Sequence, residues 1–339
     1  MSHIPRRQLL IAAAAALAVP PSSLAQERGR VRTIGAVYNW TKPTPEWLAQ
    51  RSTRHPMYAK IKELGWVEGQ NLKFDEVWIG GRVDLTPRLM EDLVRKQVDV
   101  ILVVNTASAV AAVQATKTIP IVMMGSSAYP VETGLITSYA KPGGNLTGVA
   151  FWQGIEVQSK LTQLVREILP EAKRLAWIAA PPDLIKVGGG EFRPEPYYAK
   201  ISQGLGFDLR YYECRKADDL GSVFDAMGKW RAQAVIVEPA GLTYDERVRI
   251  AELAKKGGLP SFYSLPWNVD AGGLLSYGPV QSQFWVRAAE YIDRILRGAR
   301  PADLPVEIPN MLEVVVNMRT ARALGVTIPR TIIPDRVIE

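Results

Sequence analysis

Residues 98–124 read VDVILVVNTASAVAAVQATKTIPIVMM, and this stretch decides the fold. Val100 to Val104 is an unbroken apolar run, Ser108 to Thr116 is a small-residue helix, and Ile119 to Met124 is apolar again. Strands that are apolar throughout, rather than on alternate residues, suit a parallel sheet covered on both faces.

The same alternation continues on either side. Upstream, Thr33 to Tyr38 reads as a strand and Glu46 to Leu64 as a helix that Pro56 kinks or divides. Asn71 to Trp78 follows as a strand and Leu85 to Lys96 as a helix, with Gly65, Gly80-Gly81 and Gly143-Gly144 at turns. A second cycle starts after Val149. Its helices are Val157 to Ile168, Tyr197 to Leu205, Leu220 to Trp230 and Glu246 to Lys255. Its strands are Arg174 to Ala179, Asp208 to Glu213, Ala234 to Val237 and Pro260 to Tyr263, with a Gly/Pro-rich loop from Pro181 to Pro196. Two such series imply an α/β protein of two doubly wound parallel-sheet lobes. The last part is too sparse for a third core: a strand Gly273 to Tyr277, a helix Ser282 to Arg297, a strand Leu312 to Val316 and a helical turn Thr320 to Leu324. These elements complete the two lobes, so the chain crosses between them several times.

The N-terminus reads as an export signal. Arg6 and Arg7 precede the apolar run Leu9 to Val19, and Ser23-Leu24-Ala25 has the small residues a signal peptidase reads. The run is too short to span a bilayer, which takes roughly 20 apolar residues. Both the general and the twin-arginine route fit the Arg pair. Cleavage near Ala25 would free the chain in a periplasm, not inserted in the membrane and without a lipid anchor. Residues 1–25 hold two arginines and no acid, so cleavage lowers the formal charge from +7 to +5. The remaining charges are scattered with no basic block, which argues against nucleic acid as a partner. Cys214 is the one cysteine, and His55 is the one histidine left after cleavage. A His-rich metal site is thereby excluded, and no cofactor is expected. No G-x-S-x-G motif or Ser/His/Asp set stands out, so the chain does not read as an enzyme. The glycines of VGGGEF, residues 187–192, lack the spacing of a phosphate loop and read as a surface loop.

In open α/β sheets, ligands settle beyond the carboxyl ends of the strands. Asn105, Thr106 and Ser108 follow one such strand and open a helix, whose first N–H groups and positive dipole end attract a carboxylate. Uncharged donors there bind an anion without burying a counter-charge. One of Thr106 and Ser108 is also suited simply to cap the helix. Gly125, Ser126 and Ser127 follow the next strand in the same way. Aromatics collect at these edges: Tyr38 and Trp40, Phe151 and Trp152, Tyr263 and Trp267, and Tyr277. Such rings suit sandwiching a flat ligand between the lobes. Glu238, at the end of the strand AVIVE, is placed to receive an ammonium group or to sit solvated. The run Tyr244 to Arg247 reads as the charged start of a helix.

Several stretches carry a family likeness. GWVEGQNLKFDEVW (65–78), AVQATKTIPIVMM (112–124), KPGGNLTGVA (141–150), GGLLSYGP (272–279), RILRGARPADLPVE (294–307) and the tail from Leu304 to Glu339 occur in order. Together they resemble the ABC transporter substrate-binding protein family that includes the tryptophan/tyrosine-type binders. The resemblance implies the type I periplasmic-binding-protein fold, two lobes joined by a three-crossing hinge. Here the crossings fall near Val149 to Trp152, Ser276 to Pro279 and Leu304 to Glu307. Lobe I would hold residues 26–150 and 278–304, and lobe II residues 151–277 and 305–339. Gly272, Gly273 and Gly278 suit either a hinge or ordinary turns. The implied function is the periplasmic solute-binding component of an ABC importer. It would be a monomer that binds a small carboxylate-bearing ligand and delivers it to a membrane permease. Amino-acid-binding members present an acid after the strand that here ends Phe262-Tyr263, whereas this chain continues SLPWN. An aromatic carboxylate or other organic acid therefore stands beside an amino acid as ligand. The alternative role is a periplasmic sensor that signals to a membrane receptor.

Overall fold

The computed structural model describes residues 30–126, 130–131, 133–150, 155–179, 186–187, 190–191, 195–308 and 310–339. The proposed signal segment, Ser127, Phe151, Trp152 and most of the loop from 181 to 196 lie outside the described residues.

The first half runs β1 (Arg32–Tyr38), α1 (Pro45–Arg54), α2 (Pro56–Glu63), β2 (Leu72–Trp78), α3 (Thr86–Arg95), β3 (Val100–Val103), α4 (Thr106–Ala115), β4 (Ile121–Ser126) and β5 (Leu146–Ala150). All pairings among its strands are parallel, in the order β2-β1-β3-β4-β5. Val100, Ile101, Leu102 and Val103 are each fully buried because the sheet is covered on both faces. On one face Met57, Tyr58 and Ile61 of α2 meet Ile34, Ala36 and Val122. On the other, Met90 and Leu93 of α3 and Ala109 and Ala112 of α4 meet Val37, Ile101 and Met123. Pro56 divides the first long helix rather than bending it, and His55 serves both halves. It ends α1, and its ring Nδ1 accepts the N–H of Met57 (3.3 Å) at the start of α2.

The second half runs α5 (Ile155–Ile168), β6 (Arg174–Ala179), the short pair β7 (Lys186–Val187) and β8 (Gly190–Glu191), α6 (Glu195–Gly204), β9 (Asp208–Glu213), α7 (Asp219–Trp230), β10 (Ala234–Val237), α8 (Gly241–Asp245), α9 (Arg247–Lys256), β11 (Ser261–Tyr263), α10 (Pro266–Asp270) and β12 (Leu275–Pro279). It closes with α11 (Gln281–Leu296), β13 (Leu312–Asn317), α12 (Met318–Leu324) and β14 (Arg336–Ile338). The second sheet has the order β14-β13-β12-β11-β10-β6-β9 and is parallel except where β13 runs against β12. Cores on its two faces centre on Trp177 and Phe262, and on Ile178 and Val235.

The chain passes between the sheets three times. It leaves the first sheet after β5. It returns after β12, when Ala288, Tyr291 and Ile292 of α11 pack into the first sheet's core. It leaves again beyond Glu307, which lies parallel to Val149 and exchanges backbone bonds with Gly148 and Ala150 (2.9 Å each). β13 and β14 then extend the second sheet. Of the three glycines near the second crossing, Gly272 has a left-handed backbone (φ 116°). Gly278 has a packing reason instead: an added Cβ would lie 1.9 Å from the carbonyl oxygen of Ser264.

Candidate functional site

Residues past the carboxyl ends of β1 and β10 touch through Trp40 and Tyr244, and two turns of the same design follow strands β3 and β10. After β3, Asn105 takes an extended conformation (φ −156°, ψ 169°) and caps α4. Its Oδ1 accepts the N–H of Ser108 (2.8 Å), while Ser108 Oγ accepts the N–H of Asn105 (3.2 Å) and donates to its carbonyl (2.9 Å). The cap is thus Asn105, not Thr106 or Ser108. Ser108 is fully buried and its hydroxyl is spent inside the cap. Half-buried Thr106 is the hydroxyl left over, since its side chain engages no other described residue. The N–H groups of Thr106 and Ala107, in the first turn, have no intrahelical acceptor.

After β10, Ala240 is extended in the same way (φ −148°, ψ 167°). Its N–H donates to Thr243 Oγ1 (2.8 Å), and that hydroxyl donates to the carbonyl of Glu238 (2.8 Å). A hydroxyl three residues beyond the cap folds back on it in both sheets. Half-buried Glu238 stands at the head of this turn, with its N–H bonded to the carbonyl of Ile178 (2.9 Å).

A line of rings joins the two sheets. Trp40, just past β1, lies 4.8 Å from Tyr38 and 6.3 Å from Tyr244 of α8, ring centre to ring centre. Trp267 of α10 meets Tyr244 edge-on at 4.9 Å. The Arg247 guanidinium lies over the Tyr244 ring, 4.5 Å from its centre, and donates to the Tyr244 carbonyl (2.6 Å). On the first sheet, Tyr38 stacks on Trp78 at 5.5 Å.

Tyr38 itself packs into the first sheet's core. It is 3% exposed, and its hydroxyl bonds Glu76 Oε1 (3.0 Å) and the hydroxyl of Tyr58 (3.2 Å). Burial, then the neighbouring Tyr58 and Glu76, holds its phenol well above the ordinary range. Glu76 also accepts from Tyr58 (2.5 Å) and from Arg51, whose guanidinium lies over the Tyr58 and Phe74 rings. Three donors compensate one buried carboxylate, and this set underlies Trp40 from behind.

The other expected residues divide. Gly125 sits at a bulge in β4 with φ 63°, and a Cβ there would come within 3.0 Å of the Phe284 ring, so its glycine answers to packing. Ser126 ends β4. Tyr263 lies in the core: it is 1% exposed among Ile178, Val237 and Val269, and burial pushes its phenol up to about 12. Tyr277 lies on β12 opposite Val314, half-buried against the second core, and burial raises its phenol too. The structure brings Trp40 and Trp267 into one line of rings, with Asn105 and Thr106 past the end of β3 and Glu238 past the end of β10. It adds Tyr244 and Arg247, which sequence reasoning assigned to a helix start. The available signal was spacing, since Ala240-x-x-Thr243 repeats Asn105-x-x-Ser108 after a like strand. Among the described residues, no group of three His, Cys, Asp or Glu side chains is placed to hold a metal. No described helix is long and apolar enough to cross a membrane.

Known proteins share this architecture. Residues 49–336 match the family model for the ABC transporter substrate binding protein. A tyrosine-binding protein of Clostridioides difficile (strain R20291) is 25% identical over 268 residues, covering 78% of this chain and 74% of its own. The crystal structure of a conserved domain protein from Vibrio cholerae O1 biovar El Tor has a TM-score of 0.79 at 24% identity, over 91% of this chain and 100% of that one. A Streptococcus pneumoniae ABC domain in complex with L-Trp has a TM-score of 0.78 at 21% identity, over 91% and 99%. The fold is that of the type I periplasmic binding proteins. The chain belongs to the ABC transporter substrate-binding protein family, and it is a binding protein rather than an enzyme.

Proposed function

We propose that this ABC transporter substrate-binding protein collects a small aromatic or amino-acid-like molecule bearing a carboxylate and delivers it to a membrane permease. The ligand lies between lobe I, residues 26–150 and 278–304, and lobe II, residues 151–277 and 305–339. The observation that carries this reading is the start of α4. There Asn105 and Ser108 satisfy one another, which leaves the Thr106 hydroxyl and two N–H groups as uncharged donors at the positive end of a ten-residue helix. Glu238 and the first N–H groups of α8 serve the ligand from lobe II. Similarity to a tyrosine-binding protein and to a domain holding L-Trp favours an aromatic ligand.

In this reading the chain is exported, cleaved near Ala25 and monomeric in the periplasm. Ligand favours the closed form because it touches both lobes, and charged surfaces on both then dock to the permease. Micromolar affinity, about −8 kcal/mol, needs only two or three charge-assisted hydrogen bonds and ring contact.

The test is native mass spectrometry of the mature protein from its own periplasm, followed by a thermal-shift screen. The screen covers aromatic amino acids, aromatic carboxylates and short organic acids. A co-purified small mass, with a stabilisation that Thr106→Val lowers, is the expected result. No adduct and no shift across the panel would overturn the reading.

A further inference from the structure

The contact between Trp40 and Tyr244 does more than line a pocket. Its centre-to-centre distance is 6.3 Å with a tilt of 58°. A third ring inserted between two others needs about 3.5 Å on either side, roughly 7 Å in all with the rings parallel. No ligand ring fits between this pair, so Trp40 and Tyr244 close on one another rather than sandwiching the ligand.

Strand order says where they close. The third crossing pairs with the edge strand β5, and β1 stands three places from β5 in the order β1-β3-β4-β5. In the second sheet β10 stands two places from β12, the strand that leads into the second crossing. At about 4.8 Å per strand, the Trp40–Tyr244 contact lies roughly 10–14 Å from the hinge, on the open side of the cleft. Between contact and hinge lie the start of α4, the end of β4 and the turn after β11.

Both rings are held from behind. Tyr38 supports Trp40 and is itself fixed by Trp78, Tyr58 and Glu76. Arg247 and Trp267 hold Tyr244 at its face and edge. Two loose surface aromatics would have no such support.

We propose that Tyr244 is a specificity-determining gate residue. By touching Trp40 it shuts the open side of the cleft and confines the ligand to the space between this contact and the hinge. It also sets how fast the ligand leaves. This rests on the cleft-binding reading above. A molecule of one or two rings fits a compartment roughly 10–14 Å across, whereas a peptide or oligosaccharide that must extend past the gate does not.

The experiment uses the mature chain as wild type, Tyr244→Phe, Tyr244→Ala and Trp40→Ala, with thermal unfolding to confirm that each is folded. Small-angle scattering without ligand reads the gate directly. Wild type and Tyr244→Phe share one compact radius of gyration, and the two alanine variants expand. Equal radii in all four overturn the gate, whatever binds. L-tyrosine and 4-hydroxybenzoate then serve as probes in calorimetry and stopped flow. Release of whichever binds is about fivefold faster from Tyr244→Ala, the worth of one aromatic pair. Unchanged release from that variant also overturns the gate. Expansion of the alanine variants with no binding of either probe leaves the gate standing and removes the aromatic-ligand reading. Binding without expansion does the reverse.

Discussion

His55 makes the stability of the first sheet's helices depend on acid in a calculable way. The ring is wedged among Trp285 (4.3 Å), Tyr58 (5.2 Å) and Trp47 (5.8 Å), and its Nδ1 accepts the N–H that starts α2. That acceptor exists only in the neutral form, and burial lowers the imidazole from 6.5 to about 4. Because the folded protein holds the proton less well than the unfolded chain, the unfolded state takes up more protons between those values. Stability is therefore fully present above about pH 6.5, falls as pH drops through the window, and levels off below about 4. The full difference is roughly 3 kcal/mol, and between pH 7 and about pH 4.5 some 2 kcal/mol of it is lost. His55→Asn keeps a side-chain acceptor at the cap but does not titrate. Urea unfolding followed by tryptophan fluorescence, with Trp47 and Trp285 beside the site, compares the two proteins at both pH values. Carboxylates that protonate in the same range affect both alike and cancel. Wild type should lose about 2 kcal/mol more than the variant on acidification. Equal losses would refute a buried neutral His55.

Four further substitutions probe the cap, the hydroxyl beside it, the charge behind the cleft and the second crossing. Asn105→Ala removes the α4 cap and should cost about 1 kcal/mol in urea unfolding. Thr106→Val should leave stability unchanged and weaken ligand binding about tenfold by calorimetry. Arg51→Met strands the 3%-exposed carboxylate of Glu76 and should destabilise by about 3–5 kcal/mol, read from the urea midpoint. Gly278→Ala forces a methyl against the Ser264 carbonyl and should lower the thermal midpoint of the second sheet's unfolding, at a cost of about 1–3 kcal/mol or more.

The sheet strands were legible because both their faces are covered. Val100 to Val103 can be apolar at every position only in that setting, and the small residues of α4 let the helix lie close on them. What escaped was short. α8 and α10 have five residues each and β14 three, which is too few for any period to show. Pro56 announced a break, but its use of His55 as shared cap depends on a tertiary pocket that no local pattern encodes. The site was legible to the level of strand ends and no further. Tyr38 and Tyr263 sit at strand ends as the aromatics expected there, yet their rings turn into the cores. In a strand buried on both faces, position along the chain does not say whether a terminal ring faces core or cleft. Tyr244 was hidden by its neighbours, since Asp245 and Glu246 do lie at the junction of α8 and α9.

The balance between gate and ligand follows from their sizes. One aromatic pair contributes about 1 kcal/mol, which biases an opening equilibrium about fivefold but cannot lock it. A ligand that is to drive closure from mostly open to mostly closed needs several kcal/mol more affinity for the closed form. Contacts on α4 alone cannot supply this, because they are present in open and closed forms alike. The difference must come from groups that reach the ligand only on closure, and on the second sheet the proposed ones are Glu238, the turn after β10 and the residues around Tyr244. Changes at Thr106 should then alter affinity in both states, whereas changes beyond β10 should alter how completely ligand closes the cleft.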